Sequence, residues 1–91
     1  MEEKELYKEL LLLNSSAQMI VAIEELSELQ KELTKALRNK IDRVAILEEY
    51  VDVIIMLEQI KILYELNDKD INLMKKMKLD RLRERLENNN L

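Results

Sequence analysis

Not one residue of this chain is Gly or Pro. Those two residues supply the special backbone angles of tight hairpin turns. A strand-rich fold would therefore have almost no means of reversing direction, and the expected fold is all-α. A charged fraction of 37% beside an apolar fraction of 47% suits amphipathic helices. Ninety-one residues make a single small domain. A chain this short buries only a modest core alone, yet it is rich in Leu, Ile, Val and Met. That excess implies burial against another subunit.

Four helical segments are expected, at about Glu3–Leu13, Ala17–Arg38, Arg43–Leu66 and Lys69–Glu87. Asn14-Ser15-Ser16 breaks the first from the second, with Ser15 or Ser16 as N-cap. Asn39-Lys40 is a connector, Asp42 caps the third helix, and Asn67-Asp68 ends it and caps the fourth. Residues 1–14 make an N-terminal helix, and Asn88-Asn89-Asn90 begins a frayed tail over 88–91. No internal repeat or interdomain linker interrupts this order.

The second segment carries an apolar stripe of Ile23, Leu26, Leu29, Leu33 and Leu37, bordered by Glu25 and Glu28. The third is apolar on all sides from Val51 to Leu57, which marks a helix buried on all sides. Short connectors favour antiparallel neighbours. The architecture expected is an antiparallel helical hairpin or bundle of three to four helices. Oligomerisation, as a homodimer or homotetramer, would complete a four-helix core.

Two acidic motifs stand out, Glu24-Glu25-x-x-Glu28 and Glu49-x-x-Asp52. The second lies within the most apolar stretch of the chain. An ionised carboxylate is costly to bury unless it is paired or bound to a cation. Residues i and i+3 share a helix face, so antiparallel packing would make Glu25/Glu28 and Glu49/Asp52 two facing pairs. Without His or Cys, such a set of oxygen donors suits a hard divalent ion, Mg²⁺ or in its place Mn²⁺. Taken alone, the first motif reads more readily as a solvated helix flank, since Glu is an abundant helix former. The alternative for Glu49 and Asp52 is an ion pair with a buried base.

The fourth segment holds the densest positive charge: Lys75, Lys76, Lys78, Arg81, Arg83 and Arg85. Lys78 and Arg81 could grip phosphates, Arg by its fork and Lys as a point charge. They could equally pair with Asp80 and Glu84 along the helix. Only Tyr7, Tyr50 or Tyr64 could stack on a base, and a tyrosine in such a place is more often simple core or interface packing.

The acidic motifs resemble the signature of the all-α nucleoside triphosphate pyrophosphohydrolases, the MazG-like group. The surrounding text is similar too: Ile23-Glu24-Glu25-Leu26-Ser27-Glu28-Leu29 and Leu47-Glu48-Glu49-Tyr50-Val51-Asp52-Val53-Ile54. The resemblance extends over about residues 16–87, to the small single-domain members. It implies Mg²⁺-dependent cleavage of an NTP or dNTP to the monophosphate and pyrophosphate. It also implies Glu25, Glu28, Glu49 and Asp52 as metal ligands, with Glu24 and Glu48 orienting a water or supporting the ligands. Larger members carry Trp or His near the base, and this chain has neither.

A net charge of −4 argues against general nucleic-acid binding. Asp52 and Glu58 interrupt the longest apolar run, which argues against a membrane span. Leu10–Leu13 is too short for a signal peptide and follows acids, so the cytoplasm is the expected compartment. Two other functions fit the residues: a nucleotide-sequestering protein of the same fold, and a helical interaction module with structural acids.

Overall fold

The computed structural model describes residues 1–88 as three helices: α1 (Glu3–Leu37), α2 (Arg43–Leu63) and α3 (Asp68–Glu87). No strand occurs among the described residues. The first two expected segments run together as α1, which kinks at Asn14 (φ −165°, ψ 91°). The cap is Asn14 rather than either serine. Its Oδ1 accepts from the Ala17 N–H at 3.0 Å, the bond an N-cap makes to the third residue of a helix. The helix therefore restarts at the break with no linker. Of the expected tail, Asn88 ends α3, and 89–91 lie outside the described residues.

Both helix ends that need a left-handed residue do without Gly. Asn39 (φ 63°) closes α1, with its N–H on the Ala36 carbonyl and the Lys40 N–H on that of Lys35. Glu65 (φ 54°) closes α2 in the same way, against Ile62 and Lys61, and α2 stops three residues short of the expected Leu66. This is the Schellman ending usually made with Gly. A residue with a Cβ adopts it at a cost of roughly 1–2 kcal/mol. Asp42 Oδ1 caps α2 through the Ala45 N–H at 3.0 Å. Asn67 Oδ1 caps α3 through the Asp70 N–H at 2.8 Å.

α1 and α2 pack as an antiparallel hairpin, and α3 packs on neither. Ala22 and Glu32 are the buried residues of the hairpin arm of α1, with Glu25, Leu29 and Ala36 half-buried along the same seam. α2 answers with buried Val53, Met56 and Gln59. Before the kink, Tyr7 and Leu11 are also buried.

The stripe expected to pack inward does not. Ile23, Leu26, Leu33 and Leu37 are exposed, and only Leu29 is half-buried. The seam runs one residue earlier, where Ala22 and Ala36 present no bulk to hold the helices apart. α3 buries nothing at all. None of the described helices is long and apolar enough to cross a membrane.

Candidate metal centre

The seam between α1 and α2 is polar where a core is ordinarily apolar. Glu25 enters it from α1. Glu49 and Asp52 enter from α2, three residues apart on one face. One carboxylate oxygen from each of the three lies within 4.8 Å of the others. Glu25 and Glu49 are half-buried. Glu49 Oε2 is buried and has no hydrogen-bond partner.

Three carboxylates this close repel one another when ionised. At an effective dielectric near 20, two unit charges about 4.8 Å apart cost roughly 3 kcal/mol. Among the described residues no Lys or Arg pairs with any of the three. The ion-pair alternative for Glu49 and Asp52 therefore does not apply within one chain. Proton uptake relieves the repulsion instead. Glu25 is pushed up to about 7, first by burial, then by a hydrogen bond to Asp52 and its charge, and then by Glu49. The donor set, the orphaned oxygen and the missing counter-charge all fit a hard divalent cation. Glu25, Glu49 and Asp52 would hold it.

The other expected residues stand elsewhere. Glu28 is exposed and outside the group of three. Glu24 and Glu48 are exposed, each one residue before a member of the group. Lys78 and Arg81 ride on α3, which in a single chain places neither against the carboxylates. Asp80 is not their partner. It accepts from Lys76 and from Arg83, each at 2.8 Å.

Of the tyrosines, Tyr50 and Tyr64 are exposed. Tyr7 is buried, and its hydroxyl donates to Glu3 Oε1 at 2.7 Å. That bond, its burial and the nearby negative charge of Glu3 and Glu58 push the hydroxyl up to about 12. Tyr7 thus packs the N-terminal arm to α2. It borders an open cleft of about 720 Å³ shared with Lys4, Lys8, Ile54, Glu58 and Lys61.

Two buried polar residues escaped the sequence reading. Glu32 is 8% exposed, with Lys35 Nζ 3.2 Å from its Oε1. Gln59 is 2% exposed, and its Oε1 has no partner. Each lies seven residues, close to two helical turns, beyond a member of the group: Glu32 after Glu25, and Gln59 after Asp52. That spacing is the signal that would have found them.

No protein-family model matches this sequence, and comparison with curated proteins and with solved structures yields no significant match.

Proposed function

We propose that this chain is a MazG-like, Mg²⁺-dependent nucleoside triphosphate pyrophosphohydrolase, cleaving an NTP or dNTP to the monophosphate and pyrophosphate. The observation that carries the reading is the convergence of Glu25, Glu49 and Asp52 in the hairpin seam, with no Lys or Arg among the described residues paired to them. Glu28 lies on the flank of the same arm and completes the ligand set by a change of rotamer. Mg²⁺ or Mn²⁺, when bound there, supplies positive charge to the phosphate chain and acidifies a water.

The remaining work falls to the chain itself. Two helices fix the carboxylates so that their geometry is set before substrate arrives. Glu24 and Glu48, exposed beside the ligands, orient the attacking water and take its proton. The water oxygen bonds to phosphorus as the bridge between the α and β phosphates breaks. The bridging oxygen leaves with pyrophosphate. Lys78 and Arg81 offset the charge that develops on the leaving group. The partners in this reading are the nucleotide and other copies of the chain, as a homodimer or homotetramer. The cytoplasm, which holds the nucleotide pool, is its compartment.

One observation favours a second reading. Because α3 carries Lys78 and Arg81 away from the seam, a protein of this fold could hold nucleotide without turning it over. Incubation with each NTP and dNTP plus Mg²⁺ separates the two. Pyrophosphate release abolished by EDTA supports the enzyme. Tight binding without release supports sequestration. Orthophosphate release, or activity indifferent to EDTA, contradicts the proposal.

A further inference from the structure

We infer that Arg85 is the third cation of the phosphate grip: Lys78, Arg81 and Arg85 form one ridge that takes a chain of three phosphates, with Arg85 on the terminal one. This rests on the function proposed above, which already gives Lys78 and Arg81 to the phosphates. It adds the residue that separates a nucleoside triphosphate from a diphosphate.

The first ground is a pattern that α3 repeats with one difference. Residues seven apart lie about 20° from one another around a helix, near two full turns. α3 carries two pairs of bases at that spacing, Lys76 with Arg83 and Lys78 with Arg85. Between Lys76 and Arg83 stands Asp80, which accepts from Lys76 Nζ and from Arg83 Nη1, each at 2.8 Å. Between Lys78 and Arg85 stands Arg81. The first set closes on its own anion, and the second is three cations without one.

Among the described residues no acid pairs with Lys78, Arg81 or Arg85. Like charges one turn apart weaken a helix. The ridge takes that step twice, from 78 to 81 and from 81 to 85. A bound polyanion relieves both. Lys75 lies about 120° from Arg81 around the axis and so stands off the ridge.

The second ground is shape. Arg81 and Arg85 line an open hollow of about 220 Å³ together with Glu84 and Asn88. The Asn88 amide puts further donors beside the two guanidinium groups. Glu84 is on the side away from Lys78, about 120° from it around the axis. From Lys78 to Arg85 the ridge runs about 10 Å. Guanidinium forks along it match phosphate oxygens two at a time.

The order along the ridge assigns the phosphates. In the proposed reaction Lys78 and Arg81 offset the charge that develops as the bridge between the α and β phosphates breaks. The phosphate left without a partner is the terminal one, and Arg85 is the next cation along. A diphosphate leaves Arg85 empty. Arg85 also sits in the last turn of α3, where any base steadies a helix end. That contribution does not distinguish one anion from another.

Inorganic tripolyphosphate and pyrophosphate provide the test, since they differ by one phosphate and need neither a base nor turnover. Calorimetry with excess Mg²⁺ measures each on the full-length protein, as wild type, Arg85→Gln and Arg83→Gln. Arg83→Gln removes the same charge from the side that Asp80 already balances, and circular dichroism checks that both variants stay helical. The wild type should bind tripolyphosphate more tightly than pyrophosphate. Arg85→Gln should lose about tenfold or more on tripolyphosphate, as for one charge-assisted contact, and less than about twofold on pyrophosphate. Arg83→Gln should change neither. Equal losses on the two anions, an equal loss in Arg83→Gln, or a wild type that binds neither anion would overturn the inference. The two claims fail separately. A tripolyphosphate preference that Arg85→Gln abolishes upholds the ridge even where no nucleotide is cleaved. Nucleotide cleaved equally well by Arg85→Gln overturns the ridge and leaves the pyrophosphohydrolase reading standing.

Discussion

The two faces of α2 are arranged the wrong way round for a helix of a monomeric protein. Its inner face, against α1, holds Glu49, Asp52 and Gln59 beside Val53 and Met56. Its outer face holds Leu47, Tyr50, Val51, Ile54 and Leu57, all exposed. In an ordinary amphipathic helix the apolar stripe faces the core and the charges face water. In the function proposed above, a second copy of the chain would cover the apolar residues outside. Acids inside indicate that something other than stability keeps them there, since buried unpaired charge is costly. The inner face is therefore read as chemistry and the outer face as assembly.

The sharpest way to break this division is to neutralise the inner face without changing its shape. Glu49→Gln and Asp52→Asn should each lower pyrophosphate release on the order of 100-fold or more, since several kcal/mol of charge stabilisation are lost. Steady-state kinetics on folded protein checks this. Unfolding with activity per folded molecule intact would make the acids structural.

The outer face should answer in the opposite way. Ile54→Glu places a charge where a partner is expected. It should shift sedimentation toward 10.9 kDa and lower the melting temperature, the loss being about 1.5–3 kcal/mol per apolar side chain uncovered. Unchanged sedimentation and stability would mean that this face meets water in the native protein.

Acidity gives a smaller effect on the inner face. Glu25 titrates near 7 rather than at its ordinary 4.5. Because its folded value is raised, the contribution to stability of the metal-free protein is full below about 4.5 and is lost as pH rises through about 7. A cation needs the ionised form. Apparent Mg²⁺ affinity should thus strengthen by up to about tenfold per pH unit below 7 and level off above it. Calorimetry in two buffers of different ionisation enthalpy would detect the released proton. Affinity flat from pH 5 to 8 would contradict the assignment.

The smallest effect concerns the kink. Asn14→Ala removes the cap bond to Ala17 and should cost about 1 kcal/mol in urea unfolding. Its metal affinity should not change, because Asn14 is remote from the carboxylates along α1.

The helices, their order and two of their caps were legible in the sequence, because capping chemistry is local: Asp42 and Asn67 act on residues three positions on. The kink was half legible. The break was visible at Asn14-Ser15-Ser16, but three adjacent residues could each have capped. Which face of α1 would pack was not legible. Periodicity finds an apolar stripe without saying what covers it, and the stripe from Ile23 to Leu37 faces outward.

Three of the four expected ligands come together for a geometric reason. On α2, Glu49 and Asp52 straddle the seam. On α1, Glu28 is 300° from Glu25 and falls to its flank, while Glu32, near two full turns, returns to the seam. A chain read alone also gives no sign that α3 leaves the hairpin. That depends on Glu65 in a left-handed conformation, which composition does not advertise.

Thermal unfolding of the wild type and of Asp52→Asn, each with and without Mg²⁺ at pH 8, addresses the inner face most directly. Without the metal, the variant should melt at or above the wild type, because one of three mutually repelling carboxylates is gone. With it, the wild type should gain stability by ligand linkage, and the variant should gain little. A variant that melts well below the wild type in EDTA, or two proteins that respond equally to Mg²⁺, would contradict the reading of Glu25, Glu49 and Asp52 as a cation site.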